Sequence, residues 1–230
     1  MRKIILICLI VSSFMSMTAQ WRIGITAGAS YNNCSIDNHY MSDWHYEGTW
    51  GNIIPGNLNL GTFGIMGQYD INDWLGIRTD INLTMKNHRE YRTLISTNYE
   101  VMNHYLQLPL MASFSCGNQK LRGFFNLGFY TGFWLDSHND GIMDNKYTSV
   151  KTGYWKNEFD NVRDQRLDLG FVGGAGFEWR FIFLNKYWSW QIFEARIYYS
   201  TISTQKDYMK IKDPRYNTTL VLQSGLIYFL

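Results

Sequence analysis

The sequence predicts an all-β protein, an eight-stranded antiparallel up-and-down β-barrel that crosses a membrane. Apolar and polar residues alternate with a period of two along several segments, as they do in strands with two different faces. The connections between these segments alternate between long and short. The polar faces are rich in glycine and carry charges of both signs, which suits a narrow barrel interior.

Residues 1–19 predict a secretory signal peptide that is cleaved after export. Arg2 and Lys3 precede an apolar core from Ile4 to Val11, and mostly small or polar residues follow up to Ala19. The apolar core is far shorter than the roughly 20 residues that a membrane-spanning helix needs. We therefore predict a single mature β-barrel domain over residues 20–230.

The alternation predicts eight strands, over residues 21–30, 58–70, 74–86, 100–114, 122–135, 166–181, 189–202 and 217–230. The third strand alternates most clearly, because an apolar residue occupies nearly every odd position from Leu75 to Met85 and a polar residue or glycine every even position. Outside the predicted signal peptide, no window of comparable length shows a helical period.

The fourth, fifth, sixth and eighth strands each have one strongly apolar face. These faces hold Leu106, Leu108, Leu110, Ala112 and Phe114; Phe125, Leu127, Phe129, Phe133 and Leu135; Leu167, Leu169, Phe171, Ala175, Phe177, Trp179 and Phe181; and Leu220, Leu222, Leu226, Tyr228 and Leu230. The opposite faces of the fifth and sixth strands are mostly polar or rich in glycine. We therefore predict that each strand turns one face toward lipid and the other toward the lumen.

The predicted connections place the short turns and both termini at the same end of the barrel. About 27, 13, 30 and 14 residues follow the first, third, fifth and seventh strands, whereas about three, seven and seven follow the second, fourth and sixth. In outer-membrane barrels the short turns are periplasmic and the long loops extracellular. This pattern predicts a bacterial outer-membrane protein with both termini in the periplasm.

The charges on the polar faces predict a salt-bridged network inside the lumen. Its candidate members are Arg78, Asp80, Arg166, Asp168, Glu178, Arg180, Glu194 and Arg196. Mutually neutralising charges suit a narrow interior, because an unpaired buried charge is costly. The alternative is a soluble barrel of the lipocalin type, whose apolar faces would surround a cavity.

Aromatic residues near the strand ends predict the two membrane–water interfaces. Trp74, Trp179, Tyr187, Trp188 and Trp190 lie near the predicted short turns. Tyr105, Trp134 and Tyr199 lie toward the predicted long loops.

Several strand sequences resemble those of a known family. They are "YLQLPL" at 105–110, "DLGFVGGAGFEW" at 168–179, "FEARIYYS" at 193–200 and the closing "LVLQSGLIYFL". Together with a signal peptide ending in "AQ", they are similar to the PorT-like outer-membrane β-barrel proteins of Gram-negative bacteria. The resemblance implies an eight-stranded outer-membrane barrel. The family takes its name from a member needed for a protein secretion system.

The predicted long loops provide the candidate binding surface, formed by Trp44, Tyr46, Trp50, Tyr154 and Trp155. Aromatic residues among polar ones often mark surfaces that bind partners or glycans. The alternative is that these aromatics pack on each other as a cap.

We expect a monomeric, non-enzymatic barrel that contacts outer-membrane lipid. Its role is expected to be structural or partner-binding, with a possible part as an accessory of an envelope complex. The net charge of +2 gives no indication of nucleic-acid binding.

The sequence leaves two alternative functions, a lipid-modifying enzyme and a narrow pore. His39, His45, His88, His104 and His138 all fall toward the predicted extracellular half, where some outer-membrane barrels carry lipid-modifying active sites. No spacing here predicts a nucleophile beside a base, so no catalytic residue is assigned. A narrow pore is the other alternative, although an eight-stranded lumen should be filled by its own side chains.

The sequence predicts no cofactor, no metal site and no disulfide. "DSHNDGIMDN" at 136–145 places Asp136, Asp140 and Gly141 as in a calcium loop, but Tyr147 stands where a glutamate is required. We therefore predict a polar loop there. Cys34 and Cys116 are predicted at opposite ends of the barrel, too far apart to form a bond.

Overall fold

The computed structural model describes residues 20–36, 51–92, 97–118, 120–143, 150–160, 162, 164–180, 187–206 and 215–230. The predicted signal peptide, residues 1–19, lies outside this part of the chain. Within these ranges, no helix is long and apolar enough to cross a membrane.

The described ranges contain ten β-strands, and eight of them close into a barrel. The strands are β1 (Gln20–Ile36), β2 (Gly51–Pro55), β3 (Asn59–Asp70), β4 (Leu75–Arg92), β5 (Thr97–Gly117), β6 (Leu121–Met143), β7 (Lys151–Asn157), β8 (Leu167–Arg180), β9 (Trp188–Ser200) and β10 (Arg215–Phe229). The antiparallel ring runs β1-β3-β4-β5-β6-β8-β9-β10, and β10 pairs with β1. The predicted fold class is therefore confirmed.

The two remaining strands lengthen the barrel wall at one end. β2 pairs with β4 over Gly51–Pro55, and β7 pairs with β6 over Lys151–Asn157. We call this end, at which β1, β4, β6 and β9 finish, the loop end. The opposite end, with the connections 71–74, 118–120 and 181–187 and with Gln20 and Leu230, is the turn end.

The alternating faces of the strands have their polar side inside. On β4, Arg78 is 2% exposed and Asp80 is 1% exposed, whereas Ile77 and Ile81 on the other face are 49% and 54% exposed. An apolar cluster, formed by Met111, Tyr130, Val172, Tyr198 and Val221, is also buried in the lumen. The outer wall therefore presents apolar side chains, as expected of a barrel that contacts lipid.

Strands β4, β5 and β6 extend further toward the loop end than the sequence predicts. The predicted loop of 13 residues after the third strand is reduced to the connection 93–96, because β4 reaches Arg92 and β5 begins at Thr97. The predicted polar loop at 136–145 is wrong for residues 136–143, which belong to β6. Asp136, His138 and Asp140 face outward there while the backbone remains paired with β5 and β7, so polarity did not indicate a turn.

Two predicted interface aromatics point into the barrel instead. Tyr105 is 1% exposed and Trp134 is 9% exposed, and their rings stack with centroids 5.9 Å apart. Both residues share the strand face that carries the lumen side chains, which explains the difference. Tyr199, by contrast, is exposed on the outer wall, as are Trp74, Trp179, Tyr187, Trp188 and Trp190 at the turn end.

The two cysteines of the described chain lie at opposite ends of the barrel. In the strand register, Cys34 lies opposite Asn217 near the loop end, and Cys116 lies opposite Gly123 near the turn end. Cys34 is buried and Cys116 is exposed.

Gly170 permits the close approach of β8 and β9, and its replacement is expected to destabilise the barrel. A Cβ atom at this position would lie 1.9 Å from the carbonyl oxygen of Tyr199 and 2.8 Å from the ring of Tyr130. We expect Gly170→Ala to lower the free energy of unfolding by about 1–3 kcal/mol, since the backbone must shift. Urea unfolding in lipid vesicles measures this change.

Gly67→Ala is the matched control for this substitution. Gly67 lies in β3, and a Cβ atom there would meet no atom within 4 Å. We expect little change in unfolding free energy. Equal effects of the two substitutions would show that close strand packing at Gly170 does not limit stability.

Candidate functional site

Four charged side chains bridge the centre of the lumen. Arg78 and Asp80 come from β4, and Glu194 and Arg196 come from β9, which lies on the opposite side of the eight-stranded ring. Arg78 contacts Asp80 at 3.0 Å and Glu194 at 3.1 Å. Arg196 contacts Asp80 at 2.6 Å and Glu194 at 2.9 Å. Each cation meets both anions, so the four charges cancel within a closed ring of ion pairs.

A β-bulge in β9 turns the side chains of both Gln191 and Glu194 into the lumen. Glu178 on β8 pairs with Gln191, and Phe177 pairs with Phe193, which leaves Ile192 as an extra residue. The alternation therefore shifts by one, and Gln191 and Glu194, three residues apart, both face inward. Each is 0% exposed.

Amide side chains complete the hydrogen bonding of Glu194. The amide nitrogens of Gln191 and Gln223 donate to its Oε2 at 3.0 and 2.7 Å, and Asn126 donates to Oε1 at 2.9 Å. A buried carboxylate that accepts several hydrogen bonds remains charged at low energetic cost. The network therefore combines charge neutrality with polar satisfaction.

Separate ion pairs lie on either side of the central network. Toward the turn end, Arg22 contacts Asp70 and also reaches Glu178 at 2.9 Å. Toward the loop end, Lys86 contacts Asp168 at 2.5 Å. These ion-paired charges thus form three layers along the barrel axis, and every layer contains charges of both signs.

Six of the eight predicted network residues take part in these layers. Arg78, Asp80, Glu194 and Arg196 form the central layer, while Asp168 and Glu178 belong to the outer two. Arg22, Asp70 and Lys86 were missed. Lys86 has the same parity as Arg78 and Asp80 in the third predicted strand, and this signal could have identified it.

The remaining two predicted members, Arg166 and Arg180, lie elsewhere. The guanidinium of Arg166 is 4.6 Å from the ring centroid of Phe133 and 4.4 Å from that of Phe159, near the loop end. The guanidinium of Arg180 is 4.2 Å from the ring centroid of Phe229, near the turn end. Both are half-buried side chains that pack on aromatic rings at the two ends of the barrel.

A cavity of about 760 Å³ opens at the loop end above the charged layers. We call it the vestibule. Its walls include Tyr99, Tyr105, Trp134, Trp155 and Arg215. The ammonium of Lys86 lies 4.6 Å from the ring centroid of Tyr105, so the upper charge layer adjoins the vestibule. The vestibule therefore combines aromatic rings with charged groups, as ligand-binding cavities do.

Glu90 is one of three acidic residues in the vestibule wall, together with Glu158 and Asp164. The hydroxyl of Tyr99 donates to its carboxylate at 2.6 Å, Arg215 contacts it at 3.1 Å, and Nε2 of His88 lies 3.4 Å away. Burial alone would raise the pKa of Glu90, but His88, the charge of Arg215 and the Tyr99 hydrogen bond together lower it below its ordinary value. Glu90 is therefore ionised at neutral pH.

Comparison with known proteins identifies the barrel. A family model described as an outer membrane protein beta-barrel domain matches residues 13–204. The chain belongs to this family. It is therefore an integral β-barrel protein of the bacterial outer membrane. No curated protein matches the chain.

Several solved outer-membrane barrels are similar to this one. OprG from Pseudomonas aeruginosa is 14% identical, with a TM-score of 0.49, over 92% of this chain and 97% of its own. Ail of Yersinia pestis is 13% identical, with a TM-score of 0.39, over 92% and 100%. Neisserial surface protein A is 13% identical, with a TM-score of 0.42, over 90% and 96%.

Of the predicted binding aromatics of this outer-membrane barrel, the two that the structure describes lie on different faces of the wall. Trp44, Tyr46 and Trp50 lie outside the described residues. Tyr154 and Trp155 are neighbours on β7 and point to opposite sides of the wall. Trp155 lines the vestibule, with its ring centroid 5.8 Å from that of Tyr99, whereas Tyr154 is 64% exposed.

The described histidines are also divided between the two faces. His88 lines the vestibule, whereas His104 and His138 lie on the outer face of the wall. His39 and His45 fall outside the described residues. The three described histidines therefore do not all meet at one site.

Proposed function

We propose that this outer-membrane barrel is a non-enzymatic protein that binds a partner through its loop end. The observation that carries this proposal is the contrast along the barrel axis. Layers of ion-paired charges fill the lumen, whereas the vestibule above them is open and lined by aromatic and charged side chains. The filled lumen favours binding over conduction.

The proposal places the turn end and both termini in the periplasm and the vestibule outside the cell. Short turns on the side of the termini support this orientation, since outer-membrane barrels share that arrangement. The strand sequences "DLGFVGGAGFEW" and "FEARIYYS" support a finer assignment to the PorT-like proteins. We accordingly propose an envelope protein as the partner and an accessory role in an envelope complex.

A photo-crosslinking residue at Trp155 is expected to capture a discrete protein partner in intact outer membranes. Trp155 is half-buried in the vestibule wall, so a segment that enters the vestibule would contact it. The expected result is a new band of higher mass on a denaturing gel, identified by mass spectrometry.

The same crosslinking residue at Phe129 is the matched control. Phe129 is an aromatic residue of the outer wall and is 65% exposed, so the proposal places it against lipid. We expect no discrete protein band there. A band at Phe129 with none at Trp155 would move the partner to the lipid-facing wall and contradict the proposal.

A further inference from the structure

Three side chains with metal-binding atoms meet on the outer face of the wall, near the loop end. They are His104 on β5 and Asp136 and His138 on β6. Nδ1 of His104 lies 3.3 Å from Oδ1 of Asp136, and Nδ1 of His138 lies 2.9 Å from the same oxygen. All three ligand atoms fall within 4.8 Å of one another.

A β-bulge in β6 brings the three together. His104 pairs with Asp136, but Tyr105 pairs with Trp134, so Leu135 is an extra residue. Trp134 faces inward, and uninterrupted alternation would also turn Asp136 inward. The extra residue reverses the parity, so Asp136 and then His138 face outward beside His104. Ser137 and Asn139 are accordingly buried.

We propose that His104, Asp136 and His138 bind a divalent transition-metal ion, best matched by zinc. Two imidazole nitrogens and one carboxylate oxygen are the ligands that zinc prefers. With bonds of about 2.0–2.1 Å and tetrahedral angles, ligand atoms lie about 3.3 Å apart, close to the two distances observed. Calcium and magnesium fit poorly, because they require mostly oxygen ligands.

The surroundings hold the ligands while leaving the metal position open. The ring of Tyr154 stacks on His138 with centroids 4.9 Å apart and 15° between the planes. Nε1 of Trp134 donates to the backbone oxygen of Asp136 at 3.0 Å, which fixes that residue. The side chains of His104 and Asp136 are 41% and 37% exposed, so a fourth ligand can be water.

Side chains of both charge signs lie near the proposed metal site. Lys156 pairs with His138 across β6 and β7 and is exposed, whereas Asp140 lies two residues beyond His138. A flexible ammonium in water is screened and can turn away from a bound cation, whereas Asp136 is held in place. The local field therefore does not oppose a divalent ion.

Titration of ZnCl2 into the full chain, folded in detergent and freed of metal, tests the proposal. Isothermal titration calorimetry should give one site per chain. We expect His104→Gln and His138→Gln each to weaken zinc binding at least tenfold, because each removes one of three protein ligands. Co²⁺ should give a visible absorption band in the wild type that both variants lose.

Two further variants separate this site from other zinc ligands and from misfolding. The double variant His39→Gln/His45→Gln should bind zinc like the wild type, since it leaves all three ligands in place. The heat-dependent gel shift of folded barrels verifies folding of each variant. The proposal would be overturned if folded His104→Gln and His138→Gln each bound zinc as tightly as the wild type. Loss of zinc binding in the double variant His39→Gln/His45→Gln would overturn it as well.

Discussion

Arg196→Met is expected to lower the free energy of unfolding by about 3–5 kcal/mol, or to prevent folding. Arg196 is 0% exposed and contacts Asp80 at 2.6 Å and Glu194 at 2.9 Å. Removing its charge leaves two carboxylates facing the single guanidinium of Arg78, at the centre of a filled lumen. Reversible urea unfolding in lipid vesicles, followed by tryptophan fluorescence, measures the loss.

Arg89→Gln provides the matched control for loss of an arginine charge. The side chain of Arg89 is 39% exposed, and its guanidinium lies 4.0 Å from Glu100. An exposed ion pair contributes little, so we expect a change of about 0–1 kcal/mol. A similar small change for Arg196→Met would mean that the central ion pairs do not hold the barrel together.

Phe129→Arg is the second substitution for which we expect a large effect, a loss of about 2–4 kcal/mol of unfolding free energy. Phe129 is 65% exposed on the outer wall and lies midway along β6, between Leu110 and Phe171 on the neighbouring strands. A guanidinium there enters the hydrocarbon region, where it loses its hydration. The same urea titration in vesicles gives the magnitude.

Leu60→Arg is the control for charge on the outer wall. Leu60 is 87% exposed and lies at the start of β3, near the loop end, where an arginine can reach water. We expect a change of about 0–1 kcal/mol. If Phe129→Arg were equally harmless, the apolar wall would not be in contact with hydrocarbon.

The sequence predicted the barrel because residues that face lipid alternate with residues that face the lumen along each strand. The placement of Arg78 and Asp80 on one face and of Ile77 on the other follows from this period alone. The charge balance predicted which face lies inside. Strand limits near the loop end were less predictable, because paired strands there face water and their composition resembles that of loops.

The candidate sites were only partly predictable, because they depend on contacts that alternation does not encode. The pairing of Asp80 with Arg196 follows from the ring order, which sets β4 opposite β9. The grouping of His104 with Asp136 depends on one extra residue, Leu135. A single bulge reverses every later side chain, and nothing in the local sequence predicted it.

The closing ladder between β1 and β10 brings the two ends of the barrel domain together. The backbone N–H of Leu230 donates to the carbonyl oxygen of Trp21 at 2.9 Å. A short linker could therefore join residue 230 to residue 20, and the chain could begin instead within the connection 93–96. Such a circular permutant would retain all eight ladders, so the order in which strands are synthesised could be separated from the architecture they form.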